Sequence, residues 1–210
     1  MRKSLAALLL CLCIPVVVAD DLWGTLLPLF EAAGQFKQGN AAYDRGEFAE
    51  ALRLLRPLAD EGNPHAQGIV GIMYAAGNGV PQDYAESAKW FRLAADRGEA
   101  QAQFLLGGQF DTGRGVPQDY GEAVKWYRLA AEQGVGSAQL NLGVMYAKGH
   151  GVPQDDIEAH KWLNLAAATA NDPSTRELAA KNRDAMASMM APDQIAEAQR
   201  RAREWKPAPP

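Results

Sequence analysis

The sequence predicts an all-α fold, a solenoid of helix-pair repeats closed by helical caps. Three observations predict it. A short block recurs at a step of 36 residues, as Val80-Pro81-Gln82-Asp83-Tyr84, Val116-Pro117-Gln118-Asp119-Tyr120 and Val152-Pro153-Gln154-Asp155. Apolar residues between the blocks fall at helical spacing. Hydrophobic residues make up 48% of the chain, and Leu and Ala dominate over β-branched types, which favours helix over sheet.

Residues 1–19 read as a signal peptide. Arg2 and Lys3 form a basic start, Leu5 to Val18 an apolar run, and Val17-Val18-Ala19 a cleavage site before Asp20. The run is short for a membrane span, and Asp20-Asp21 follow it. A lipoprotein signal would need a cysteine after small residues, whereas Cys11 and Cys13 each follow a leucine. Both cysteines leave with this segment, so no disulfide is expected in the mature chain. Losing Arg2 and Lys3 takes Lys+Arg from 21 to 19 against 25 Asp+Glu, so the net charge moves from −4 to −6. An acidic chain without a basic stripe argues against nucleic acid or an anionic membrane surface as partner. The expected location is periplasmic or secreted.

Residues 20–38 are expected to form an N-terminal helical cap, interrupted near Pro28, with Leu22, Trp23, Leu26, Leu27, Leu29 and Phe30 covering the hairpin that follows. That hairpin, over 39–63, has a tighter turn than the units after it. Three units follow at 64–99, 100–135 and 136–171. In the third, Ala138, Leu142, Gly143 and Tyr146 share one face of a first helix, matched by Ala102, Leu106, Gly107, Phe110 and by Ala66, Val70, Gly71, Tyr74. A helical Gly costs about 1 kcal/mol relative to Ala, so its recurrence points to close approach of the next helix.

Gly77, Gly113 and Gly149 suit a left-handed C-terminal cap, and Pro81, Pro117 and Pro153 stop the first helix. Gly79, Gly115 and Gly151 allow a second unusual turn. A phosphate-cradling loop would need a Lys-Ser/Thr pair and a preceding strand, and neither is present. Asp83, Asp119 and Asp155 start the second helix, with Glu86, Glu122 and Glu158 at capping-box spacing. Their place at a helix start explains these carboxylates without acid–base chemistry or a metal. The second helix carries Ser87, Phe91, Ala94 and their equivalents on one face. Such a pair completes its core only by stacking on its neighbours. Past 171 the period is lost. Capping helices are expected over 172–205, the second packing back through Ile195, Ala198 and Ala202, then a frayed tail at 206–210.

Gly39, Tyr43, Gly46 and Ala51 resemble a tetratricopeptide unit. The three longer units resemble Sel-one-like repeats, on Leu142-Gly143, Tyr146, Gly149, Gly151-Val152, Trp162, Ala166-Ala167 and their equivalents. Phe110 stands where the family has Tyr, and Leu163 where it has an aromatic. The resemblance implies a right-handed α-α superhelix and a non-catalytic adaptor.

Candidate chemistry is sparse. His65, His150 and His160 do not pair at metal-ligand spacing, so no metal and no cofactor are expected. Ser4, Ser87, Ser137, Ser174 and Ser188 lack a nucleophile-elbow context, which leaves a cell-wall hydrolase poorly supported. Trp90, Trp126 and Trp162 form a row that packs between second helices or, alternatively, stacks peptidoglycan or another glycan. By resemblance to tetratricopeptide arrays, first helices line a concave face. Its outward positions are His65, Gly68, Ile72, Ala76, then Gln101, Phe104, Gly108, Thr112 with Asp111 beside them, then Ser137, Leu140, Val144, Lys148. The expected partner is another protein, presenting a peptide or helix to Gln101, Phe104, Gly108, Asp111 and Lys148.

Overall fold

The computed structural model describes residues 16–208, so the first fifteen residues of the expected signal peptide and the last two of the tail lie outside the described residues. Among the described residues there are ten α-helices and no strand. They are α1 (Val16–Asp44), α2 (Phe48–Asp60), α3 (Pro64–Ala76), α4 (Tyr84–Ala95), α5 (Ala100–Thr112), α6 (Tyr120–Glu132), α7 (Gly136–Lys148), α8 (Asp156–Thr169), α9 (Pro173–Ala187) and α10 (Pro192–Glu204). Two compact units divide the chain, Met1–Leu58 and Ala59–Pro210.

In the first unit, α1 runs unbroken through Pro28, contrary to the expected interruption. The cap and the first arm of the hairpin are therefore one helix. The turn at Arg45–Glu47 is set by Gly46 at φ +76°. Gly39 lets the arms meet, since a Cβ there would lie 2.7 Å from Leu55 Cγ. Gln35 Nε2 donates to the Leu54 carbonyl at 2.8 Å. Because α1 has 29 residues and α2 only 13, α1 outruns its partner. Leu29 and Phe30, expected to cover the hairpin, are 62% and 67% exposed.

In the second unit, the pairs α3–α4, α5–α6 and α7–α8 are built alike. Each first helix ends on a left-handed glycine, Gly77, Gly113 or Gly149, whose N–H returns to a carbonyl four residues back. The recurring helical glycines do admit the second helix: a Cβ at Gly71, Gly107 or Gly143 would stand 2.6–2.8 Å from Phe91, Tyr127 or Leu163. Asp83, Asp119 and Asp155 cap the second helices, each accepting from the N–H of Glu86, Glu122 or Glu158. Such caps contribute about 1 kcal/mol each. The reciprocal arm of the capping box is replaced. The N–H groups of Asp83, Asp119 and Asp155 donate to the carbonyls of Tyr74, Phe110 and Tyr146, tying loop to first helix. The three glutamates instead pair with Lys89, Lys125 and Lys161.

Neighbouring pairs are joined by two devices of the same period. Gln67, Gln103 and Gln139 are buried, and each Nε2 donates to a carbonyl at the end of the preceding helix, that of Ala59, Ala95 or Ala131. These carbonyls would otherwise be orphaned by the helix end. The second device is Gly115, which sits so close to α4 that a Cβ would overlap the Tyr84 carbonyl oxygen at 2.1 Å. Gly151 meets the Tyr120 carbonyl of α6 in the same way, at 2.2 Å.

The period ends for a local reason. Gly62, Gly98 and Gly134 make the turn between pairs at positive φ. The equivalent residue after α8 is Ala170, at φ −59°. The chain leaves the repeat path there and starts α9 on an Asp172 cap. Helix α9 packs on α8 and reaches α7, burying Ala179 and Met186 with Leu140 and Leu163. Helix α10 lies on α8 through Ala198 and Ala202, and Arg201 pairs with Glu158 at 2.9 Å. The tail is not frayed at its start. Trp205 sets its ring edge on Trp162 at 6.3 Å, and the Ala208 N–H donates to the Glu132 carbonyl at the end of α6 at 2.7 Å.

Candidate partner-binding groove

Two consecutive first helices, α3 and α5, leave a groove of about 400 Å³ between them. Ile72, Ala75 and Ala76 form one wall. Phe104, Leu105, Gly108, Gln109 and Thr112 form the other. Tyr84 and Phe91 of α4 reach it from behind, and Arg114 stands at the loop end. The lining is mainly apolar, and the groove is open to solvent.

The predicted site residues are only partly brought together. Phe104 and Gly108 lie side by side in this wall. Phe104 is half-buried, its ring 5.9 Å from that of Tyr127. Gly108 leaves the Tyr127 hydroxyl 3.5 Å from where a Cβ would sit. Asp111 is engaged by the fold, its Oδ2 accepting from the Tyr127 hydroxyl at 3.3 Å. Burial, and then the Asp111 charge, push the Tyr127 phenol above its ordinary value, so it remains a donor. Gln101 is exposed and outside the groove lining. Lys148 belongs to a different depression of about 290 Å³, lined also by Val144, Ala147, Leu163, Asn182, Ala185, Met186 and Met189. Of the other positions expected to face outward, Leu140 is buried in the cluster that α9 completes, and Gly68 is covered.

Residues 64–99, 100–135 and 136–168 each match the Sel1 repeat. The chain belongs to the Sel1 repeat family. No curated protein matches it. Among solved structures it is similar to a Sel1 repeat protein from Oxalobacter formigenes, with 28% identity and a TM-score of 0.63, over 80% of this chain and 74% of that one. It is also similar to a protective antigen present in uropathogenic Escherichia coli strains that displays an SLR fold, with 26% identity and a TM-score of 0.58. That match covers 83% of this chain and 45% of the antigen, so the chain spans under half of the antigen's length.

The Sel1 frame explains the tryptophan row. Trp90, Trp126 and Trp162 are 6%, 4% and 4% exposed, and Lys125 and Lys161 lie over the rings of Trp126 and Trp162. Faces covered in this way offer no platform for a sugar. The histidines are scattered. His65 Nδ1 is 3.9 Å from a Glu99 oxygen, His150 stacks on Tyr120 at 4.8 Å, and His160 is buried between α8 and α9. Among the described residues no three His, Cys, Asp or Glu side chains are grouped to hold a metal ion, and no helix is long and apolar enough to cross a membrane.

Sequence reasoning missed Gln109, Leu105, Tyr84 and Phe91 as groove residues. For Gln109 a signal was present: the Sel1 units place Met73 and Met145 at the same step, so a polar residue there departs from the repeat.

Proposed function

We propose that this Sel1 repeat protein is a non-catalytic interaction module of the cell envelope, and that the α3–α5 groove takes a peptide or helix of a partner protein. The family fold generally serves protein–protein interaction. The observation that carries the finer reading is the groove itself, an apolar slot between first helices with a half-buried aromatic in its wall. Exposed aromatics beside polar groups are common anchors of binding energy. The envelope location rests on the basic start, apolar run and small-residue site of residues 1–19. Nothing favours glycan binding by the tryptophan row, whose members are buried.

A photo-cross-linking residue at position 104, with a control at exposed Asp96, tests this in the native envelope. Adducts to one protein from 104 but not from 96 are expected. Phe104→Ala should then weaken binding of that protein at least tenfold. Equal adducts from both positions would place the partner elsewhere. Export predicts an intact mass starting at Asp20, and a mass that retains residues 1–19 would refute it.

A further inference from the structure

We propose that the groove selects a partner segment presenting a large apolar side chain next to an Asp or Glu side chain. This rests on the groove reading above and adds the chemistry of what enters. The repeat allows the middle unit to be compared with its neighbours position by position. Three positions that vary between the units carry middle-unit residues that converge on one groove. Phe104 stands where the other units have Gly68 and Leu140. Gln109 stands where they have Met73 and Met145, and Arg114 where they have Asn78 and His150. All three line the slot.

Each departure points to a property of the occupant. Phe104, with Ile72 and Leu105 nearby, makes a wall for an apolar side chain. Arg114 is the one charged side chain among the described residues lining the groove. It is exposed, and its guanidinium lies 5.8 Å from the Tyr84 ring centre. No described carboxylate is in ion-pair reach of Arg114; the same holds for Arg92, Arg97, Arg128, Arg176 and Arg203, but none of these lines the groove. A guanidinium on an aromatic face remains a fork of N–H donors suited to a carboxylate. Gln109 adds a polar mark. The residue is 7% exposed, with Nε2 donating to Ser87 Oγ at 3.2 Å, while Oε1 is buried without a partner. Ser87 is itself a departure, since the equivalents are Ala123 and Ala159. The middle unit thus carries a polar group in the groove wall where the other units carry Met73 and Met145. Because the chain carries net −4, a strongly acidic partner is repelled at long range. One carboxylate placed at Arg114 is what fits. The groove is open between two helices, so a continuous segment passes and the carboxylate belongs to a side chain.

The test uses the mature full chain and fluorescein-labelled 12-residue peptides with a central Phe and a Glu, Gln or Lys three positions on. A further arm ends in Phe with a free carboxylate. Binding is read by anisotropy for the wild type, Arg114→Gln, Arg114→Glu and Phe104→Ala, with circular dichroism to confirm folding of these variants. The Glu peptide should bind at least tenfold tighter than the Lys peptide. Arg114→Gln should remove that preference, Arg114→Glu should reverse it, and Phe104→Ala should weaken every peptide. A preference unchanged in both Arg114 variants overturns the carboxylate assignment while leaving the groove reading standing. Preference for the free terminus alone overturns the side-chain source. Failure of all peptides, together with no adduct from position 104, overturns both readings.

Discussion

Replacing Gly115 by Ala tests the junction between Sel1 units. Two terms add at this position. The backbone is at φ +76°, where an L residue costs roughly 1–2 kcal/mol. The new Cβ would also lie 2.1 Å from the Tyr84 oxygen, 2.2 Å from its carbon and 2.7 Å from Ala85 N, all main chain at the start of α4. Main chain there cannot swing aside as a side chain can, and Gln109 also leans on that carbonyl at 3.4 Å. Overpacking of this kind costs about 1–3 kcal/mol, occasionally more. Gly98→Ala is the matched control, with φ +87° and nothing within 4 Å of its Cβ. The expected losses are therefore about 1–2 kcal/mol for Gly98→Ala and about 2–5 kcal/mol for Gly115→Ala. At about 3 °C per kcal/mol in a chain of this size, the second variant should melt roughly 3–9 °C below the first. Urea unfolding followed at 222 nm, with thermal melts beside it, measures both. Equal losses in the two variants would show that the Gly115–Tyr84 contact gives way freely and does not hold the junction.

Other outcomes follow from the same contacts. Gly143→Leu places its Cβ 2.8 Å from Leu163 Cγ, and about 1–3 kcal/mol should be lost; an unmoved denaturation midpoint would mean the helices separate without penalty. Deleting 172–210 uncovers Leu140, Leu163 and Trp162, so aggregation or reduced helicity is expected, and a soluble monomer with wild-type melting would count against a capping role. Burial, and then the Arg183 charge, hold His160 below its ordinary value, with Asp184 opposing. The unfolded chain therefore binds this proton first, so the His160 contribution is complete above about pH 6.5 and declines as pH falls toward the folded value. His160→Val, as at Val124, should flatten the fall in stability between pH 7 and 5; an identical slope would place the titration elsewhere.

What could be read from the sequence was local and recurrent. The left-handed glycines, the prolines after the first helix and the Asp caps act within a few residues, so their chemistry is visible in a string. The groove wall of Phe104, Gly108 and Thr112 followed from helical spacing together with the resemblance to tetratricopeptide arrays. The buried glutamines escaped because each meets a carbonyl that only the completed turn brings near. Leu140 was misplaced because α9 folds onto α7, a tertiary event that leaves no periodic trace, and the same helix sets exposed Lys148 in a separate depression. Pro28 suggested a break, yet loss of one hydrogen bond did not end a helix of 29 residues. The single-residue departures at Gln109 and Arg114 were in view, but what joins them is the alignment of α3, α4 and α5.

The segment after α10 has a mechanical consequence. By tying Trp205 to Trp162 and Ala208 to the end of α6, it straps the third Sel1 unit to the second. Under tension applied at the carboxyl end, the third unit cannot peel away until that strap is pulled off. A stretching experiment should therefore record a detachment event before the rupture of α7 and α8. Cutting the chain after Trp205 should remove part of the resistance and leave the helices themselves in place.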